Sequence, residues 1–313
     1  MCTYNSEDFV GPQLASILDQ SRRPDELVIC DDGSSDGTME QVRRFREGAP
    51  FEVSVHVNER NLGSTKNFEQ AIARCGGDIV VMSGDDDVWH PEKLQAVEDE
   101  LASGAAGLAL SDAELVDEAL RPKEASLWQA RGFSAEDRAD VTAGRNEPVL
   151  KRHMSATYGN TMAFRAEHND AVLPIPGEWV EDAWIAVIIA GLARVAIIPR
   201  ALVKYRQHGT NISGSAAASR LGRIRAARDY PPEVFLERAR QIRMAVDRLR
   251  SAPGAESRFL AHLQAMERHN MLRARIVSSF ARRVPLVARE LLSGRYGRYS
   301  DGWRSAALDL VRG

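Results

Sequence analysis

The sequence predicts an α/β protein: a mainly parallel sheet flanked by helices, followed by a C-terminal helical extension. Three observations carry this. Short apolar runs alternate with segments of helical period through the first third of the chain. Two acidic clusters, DDGSSDG at 31–37 and GDDD at 84–87, each follow directly on such a run. From about residue 215 onward the pattern is helical and rich in arginine.

Taken in order, MCTYN (1–5) reads as the end of a first strand that is several apolar residues short. Either that strand is stunted or the true start lies upstream. A helix is expected over about 7–20, where Phe9, Leu14, Ile17 and Leu18 share one face. Leu27–Cys30 is a strand-type run ending at Asp31, and a helix follows over 36–47. Residues 53–57 alternate with period two, and Phe68, Ile72 and Cys75 mark a helix over 64–75. Ile79–Met82 is a third run, and Pro91 suits the first turn of a helix over 91–103. Leu108–Leu110 is a fourth. Strands that alternate with helices in this way imply βαβ units. Residues 112–180 read as irregular apart from a strand at 159–164. A helix is expected at 181–190 and a strand at 193–199. Ala216–Ala218 reads as a linker, and helices follow at 232–250 and 256–281, separated by Ala252-Pro253-Gly254. The expected division is a domain over 1–214 and a basic helical extension over 215–313.

The composition, 44% apolar and 27% charged over 313 residues, is that of an ordinary globular protein. Three cysteines, Cys2, Cys30 and Cys75, have no metal-ligand spacing, and their odd number argues against a disulfide framework. A reducing cytoplasm is the expectation. No run is long enough to span a bilayer, and no basic-then-apolar leader opens the chain. The net charge of −3 hides an asymmetry. From Arg220 to Gly313 there are 20 Arg, no Lys and 9 Asp and Glu, a net of +11, so residues 1–219 carry −14. Such a split points to regions with different partners.

Ligands on a parallel sheet bind beyond the carboxyl ends of its strands, which places both acidic clusters on one rim. In DDGSSDG, a strand-to-helix turn accounts for Gly33, Ser35 and Asp36. It does not account for Asp31 and Asp32, whose carboxylates suit the N–H of a uracil or thymine ring or the hydroxyls of a ribose. In GDDD, three adjacent like charges disfavour ionisation unless they are solvated or share a cation. Mg2+ or Mn2+ prefers such oxygens and keeps positions open for phosphate. A solvated acidic turn is the competing reading, and the second cluster on the same rim argues for a metal–nucleotide site.

The order of motifs resembles family 2 glycosyltransferases of the GT-A fold. The matching stretches are CTYN (2–5), VICDDGSSDGT (28–38), NERNLGSTKNFEQAI (58–72), MSGDDDVWHPEKL (82–94), GNTMAF (159–164), EDAW (181–184) and YRQHGTNISG (205–214). They cover about residues 1–214. The VW-x-P-x-KL and YRQHGTN stretches look most like bacterial rhamnosyltransferases of surface polysaccharides. The resemblance implies a nucleotide-binding half over about 1–111 and an acceptor half over 112–214. It implies that Thr3, Tyr4 and Asn5 line the nucleotide, and that Asp32 binds base or ribose with Asp31 in support. Lys66 would face the nucleotide or its phosphates, with a solvated helix lysine as the alternative. Asp85 would bind ribose and metal, Asp86 would be the main metal ligand, and Asp87 would stand behind them. The family often has a further Asp where this chain has Gly84.

Inverting transfer needs one carboxylate to take the proton of the acceptor hydroxyl as it attacks the anomeric carbon. The leaving diphosphate needs no proton if a metal holds its charge. Asp182 is the expected base and Glu181 the competing candidate; an acid at a helix N-terminus is the alternative for each. Trp184 could form part of an acceptor platform, since an aromatic face packs on a sugar, but core packing is its favoured role. His208 would be a metal or phosphate ligand, Arg206 would neutralise diphosphate, and Asn211 receives no role. In the tail, Phe259, Leu263, Met266, Ile276, Phe280, Val284, Val287 and Leu291 give apolar helical spacing amid Arg282, Arg283 and Arg289. Basic amphipathic helices point to an anionic membrane surface, with self-association as the alternative and nucleic acid disfavoured.

The expected activity is metal-dependent transfer of rhamnose from dTDP-rhamnose, or of a hexose from a UDP-sugar, to a glycan or lipid-linked acceptor. The enzyme would be cytoplasmic and peripheral on the membrane's inner face. The rivals are a non-catalytic sugar-nucleotide-binding or scaffold protein and a nucleotidyltransferase. The latter normally has a Gly-rich basic loop after its first strand, which TYNSEDFVGP lacks.

Overall fold

The structure is a computed structural model, and the residues it describes are 1–150, 158–209, 231–276 and 280–311. The chain divides into two compact units: Met1–Val149 with Ser155–Asn211, and Leu150–Met154 with Ile212–Gly313.

The first unit begins with alternating strands and helices: β1 (Cys2–Thr3), α1 (Val10–Leu18), β2 (Glu26–Asp31), α2 (Thr38–Gly48), β3 (Glu52–Val57), α3 (Ser64–Arg74) and β4 (Ile79–Val81). β1, β2 and β3 form a parallel sheet in which Cys2 pairs with Cys30 and Leu27 with Val53. The strand ends are therefore level, and Thr3 lies beside Asp31. The Cys2 N–H donates to the Ser83 carbonyl at 3.2 Å, so the chain leaving β4 runs along the open edge of β1. This bond, with that from the Tyr4 N–H to Asp85, brings GDDD beside DDGSSDG. The core beneath is apolar: Val10, Leu14 and Ile17 of α1 pack with Leu27, Ile29, Met39 and Val42.

The second sheet departs from a mainly parallel arrangement. After β5 (Val88–Trp89) and α4 (Lys93–Leu101) come β6 (Leu108–Asp117), β7 (Pro122–Ser126), α5 (Leu127–Arg131), α6 (Ala135–Thr142), β8 (Met162–Arg165), α7 (Asn169–Val172), α8 (Glu181–Ala190) and β9 (Val195–Gln207). The strand order is β4-β8-β6-β9-β5, with β7 on β6, and only the β6–β9 pair is parallel. Antiparallel pairing needs no crossover helix, and the β6–β7 hairpin turns at Leu120, with φ of 62°. β6 and β9 are much longer than their apolar runs. β6 continues past Ser111 and Asp112 because Ala113, Leu115 and Val116 still point inward. β9 passes Pro199, where the ladder shifts register: Ser111 pairs with Ile198, then Asp112 with Ala201. A proline has no N–H to donate, so a bulge there is the local solution. This continuation carries Arg206 and His208 back toward the acidic rim.

The second unit is helical: α9 (Pro232–Ser251), α10 (Ser257–Arg275), α11 (Phe280–Leu292), α12 (Arg295–Tyr299) and α13 (Trp303–Val311). Phe235, Ile242, Val246 and Leu249 of α9 and Phe259, Leu263 and Met266 of α10 are buried. The helix expected over 256–281 ends at Arg275, and 277–279 lie outside the described residues, as do Asn211 and the Ala216–Ala218 linker. No helix among the described residues is long and apolar enough to cross a membrane. Cys2, Cys30 and Cys75 are free thiols.

Candidate functional site

The rim starts at the strand ends. Asp31 is fully buried: one carboxylate oxygen accepts from the Gly33 and Ser34 N–H groups (3.1 and 2.8 Å), the other from the Thr3 and Ser34 hydroxyls (2.8 and 2.5 Å). Gly33 takes φ of 82° so that its N–H can turn back to the carboxylate. Asp32 reaches the other way. It accepts from the Asn58 amide at 2.9 Å and from the Leu62 and Gly63 N–H groups at 2.8 and 2.9 Å. The pair therefore folds two loops, 33–35 and 58–63, around the ends of β1 and β2. A carboxylate has about four acceptor positions, so three bonds leave Asp32 capacity for a ligand N–H or hydroxyl. Asn5, with φ of 46°, accepts from the Ser35 N–H at 2.9 Å. Tyr4 is half exposed beside it.

The three adjacent aspartates point to three different sets of partners. Asp85 accepts from the Tyr4 N–H at 3.0 Å. Burial, together with the charge of Asp86, pushes its carboxyl up to about 6. Asp86 lies 3.1 Å from Nε2 of His208. Asp87 is buried and accepts from the Arg206 N–H at 3.0 Å and from the Asn160 amide. The Asn160 carbonyl in turn accepts from Lys93, a buried lysine whose ammonium sits 3.9 Å from the Trp89 ring centroid. Burial raises Asp87 and lowers Lys93, because each charged form loses its water. Asp87 thus belongs to the interior, behind Asp85 and Asp86, and its oxygens serve Arg206 and Asn160 rather than a cation.

β9 supplies the other wall. The Arg206 guanidinium donates to the carbonyls of Asp86 (2.8 Å) and Glu118 (2.9 Å), and it lies 5.1 Å from the Phe9 ring. These contacts brace the acidic turn. The His208 ring stacks on Phe9, with centroids 4.4 Å apart and planes at 24°. A cleft of about 630 Å3 opens here, lined by Asp117, Glu118, Ala119, Arg121, Gln207, His208 and Gly209.

Glu181 and Asp182 open α8, where the helix N-terminus favours acids. Their surroundings separate them. Glu181 is buried and accepts from the Ser64 and Thr65 hydroxyls at 2.9 and 3.0 Å, which ties α8 to the start of α3. Asp182 accepts from the Gly159 N–H at 3.2 Å and from its neighbour Ala183. Burial and the adjacent Glu181 charge push it up to about 7. Trp184 is 1% exposed, donates to the Val172 carbonyl at 2.7 Å and packs edge-on to Trp179. It packs in the core, the favoured of its two expected roles, and does not stand as a platform for an acceptor. Lys66 donates to Glu69 and to the Ile175 carbonyl, both at 2.8 Å.

Among the described residues, no three His, Cys, Asp or Glu side chains converge as a metal site. Asp86 and His208 provide one oxygen and one imidazole 3.1 Å apart. This fits Mg2+ or Mn2+ bound in the usual partial way, with substrate phosphates and water filling the remaining positions. Sequence reasoning missed Phe9, Lys93 and Asn160. The sequence spacing puts Phe9 on a helix face, whereas α1 starts one residue later and leaves its ring to His208. The signal for Lys93 was a lysine amid Leu94, Ala96 and Val97 on the buried side of α4.

Level strand ends, an acidic rim and an Asp–His pair thus meet on one side of an α/β sheet. The chain belongs to the glycosyl transferase family 2, whose model matches residues 1–167. It is 27% identical over 221 residues to the glycosyltransferase alr2836 of Nostoc sp., covering 69% of this chain and 66% of the relative. It is 30% identical over 95 residues, 30% of this chain and 36% of the relative, to the Escherichia coli UDP-Glc:alpha-D-GlcNAc-diphosphoundecaprenol beta-1,3-glucosyltransferase WfgD. The chain thus spans about two thirds of the first relative's length and about a third of the second's. In fold it resembles S. aureus TarS 1–349 in complex with UDP-GlcNAc, with a TM-score of 0.60 at 17% identity, covering 97% of this chain and 88% of that one. The fold is of the GT-A type.

Proposed function

We propose that this chain is a metal-dependent, inverting glycosyltransferase of cell-surface polysaccharide synthesis. Its donor is a pyrimidine nucleoside diphosphate sugar, dTDP-rhamnose first and a UDP-hexose second. The rhamnose preference rests on the VW-x-P-x-KL and YRQHGTN stretches. The acceptor is a hydroxyl of a glycan or of a lipid-linked sugar, as the name of the E. coli relative describes for that protein. The observation that carries the reading is the Asp86–His208 pair at the carboxyl ends of the strands, beside Asp85 and the Asp31–Asp32 loops.

In this reading the loops held by Asp31 and Asp32 receive base and ribose, with Thr3, Tyr4 and Asn5 along the same edge. Asp86 and His208 would hold the divalent cation, which neutralises the leaving diphosphate when bound. Arg206 keeps the turn of Asp86 in place through its carbonyl. Asp182 takes the proton from the acceptor hydroxyl as that oxygen bonds to the anomeric carbon. The bond from that carbon to the diphosphate oxygen breaks on the opposite face. A carboxyl raised to about 7 by burial is well matched to this work near neutral pH. Glu181 positions α8 and does not take the proton.

The test is calorimetry with UDP-, dTDP- and GDP-sugars, with and without Mn2+, on wild type and Asp86→Ala. One pyrimidine donor should bind in the presence of Mn2+, and Asp86→Ala should weaken it at least tenfold. Binding that ignores both Mn2+ and Asp86→Ala would overturn the metal assignment. Failure of every donor to bind would overturn the nucleotide-sugar reading.

A further inference from the structure

The helices α11 and α13 each carry apolar residues on two faces. On α11, Val287 is buried with Ile276, Tyr296 and Ala306 in a small core, and the neighbouring Glu290 is buried as well. The outer side of such a helix is ordinarily polar. Here Val284, Ala288, Leu291 and Leu292, at spacings of four, seven and eight residues, are all exposed, Leu292 at 88%. α13 repeats the pattern. Ser305, Ala306 and Asp309 turn inward, while Trp303, Ala307 and Val311, each four residues apart, are exposed, Trp303 at 69%.

The charges around these stripes have one sign. Between residues 282 and 311 the exposed charged side chains include Arg282, Arg289, Arg298 and Arg304 against the single acid Asp301. The other two acids of the segment, Glu290 and Asp309, are buried and taken up internally. Glu290 meets His269 at 2.9 Å and Arg295 at 3.1 Å, and Asp309 meets Arg273 at 2.7 Å and the Tyr296 hydroxyl at 2.7 Å. The outward face therefore combines exposed apolar side chains with unbalanced guanidinium groups, which bind phosphate oxygens in a fork. A second copy of the chain would bring the same arginines against one another. An anionic bilayer offers phosphate to the arginines and acyl chains to Leu292 and Trp303.

We propose that the outer stripes of α11 and α13 form a membrane-docking surface that lies on an anionic lipid bilayer. This goes beyond the sugar-transfer reading and does not depend on it. A lipid-facing surface would keep an enzyme of lipid-linked acceptors where its substrate is dilute in water and concentrated in the membrane.

The test is co-sedimentation of the full chain with vesicles of phosphatidylcholine alone and of phosphatidylcholine with phosphatidylglycerol. Wild type should partition to the anionic vesicles at least tenfold more strongly than to the neutral ones. Leu292→Ser combined with Trp303→Ser should lose at least tenfold of this binding. Both side chains are exposed, so the variant keeps its fold, and its circular dichroism and melting curve should match wild type. Arg282→Gln with Arg289→Gln should weaken binding to anionic vesicles and leave neutral ones unaffected. Equal partitioning to both vesicle types, or unchanged binding by Leu292→Ser/Trp303→Ser, would overturn the proposal. So would sedimentation equilibrium showing a dimer that the same double variant dissolves, since the stripes would then be covered by a second copy.

Discussion

At the scale of single residues, adjacent positions in this site do different work because their partners differ. Glu181 and Asp182 are neighbours on the first turn of α8, yet Glu181 is committed to two hydroxyls of α3. Asp182 takes its bonds from backbone N–H groups and carries a raised pKa. A base must be deprotonated to act, so kcat/KM should rise with pH and level off above about 7, with the slope of one proton below it. A pH profile of wild type checks this; a rate that falls as pH rises through 7 would contradict it. His208→Ala removes one of the two proposed cation ligands and the stack on Phe9. It should raise the Mn2+ concentration needed for half-maximal activity at least tenfold, which a metal titration reads.

At the scale of elements, the turn after β4 joins functional and interior groups in three consecutive residues. Asp87→Ala leaves the Arg206 N–H and the Asn160 amide without their carboxylate. Each buried group left unsatisfied costs about 1–3 kcal/mol. Urea denaturation should show that loss for Asp87→Ala and less than about 0.5 kcal/mol for Asp86→Ala, whose carboxylate is partly exposed beside His208. The three aspartates were conspicuous in the sequence, but only the family resemblance, and not the residues themselves, told them apart. Their division depends on Asn160 and Arg206, which are 73 and 119 residues from Asp87 and reach it only through the strand order. The βα alternation of residues 1–111 was legible because buried parallel strands are continuous apolar runs. β6 and β9 were legible only in part. Their outer halves mix polar and apolar residues, and Pro199 interrupts the pattern at the bulge. Trp184 illustrates the limit of residue type: an aromatic next to the acid pair suits a sugar platform, but α8 is buried along most of its length.

At the scale of the whole chain, residues 1–219 and 220–313 carry net charges of opposite sign. The second unit holds a buried polar network: His269 lies 2.9 Å from Glu290 and 2.7 Å from the Ser300 hydroxyl, which also accepts from Arg273 at 3.1 Å. Burial lowers the His269 pKa from its usual value near 6.5, against the pull of Glu290. A histidine lowered in the folded state contributes stability that is present above its unfolded pKa and is lost as pH falls below about 6.5. Denaturation of the full chain at pH 7.5 and 5.5 should show this as a slope of at most about 1.4 kcal/mol per pH unit, which His269→Gln flattens. The charge split between residues 1–219 and 220–313 was visible in the sequence, whereas which apolar residues face outward was not, since α11 is apolar on both sides.

We propose sugar transfer with Asp182 as its base. It is tested most directly by release of nucleoside diphosphate from dTDP-rhamnose or UDP-hexose, with Mn2+ and undecaprenyl diphosphate-linked glycans as acceptors. Wild type, Asp182→Asn and Glu181→Gln would be compared. The account predicts release by wild type and a fall of about 10²–10⁴-fold in Asp182→Asn with donor affinity unchanged. Glu181→Gln should retain most of the rate. Equal release by wild type and Asp182→Asn would contradict it.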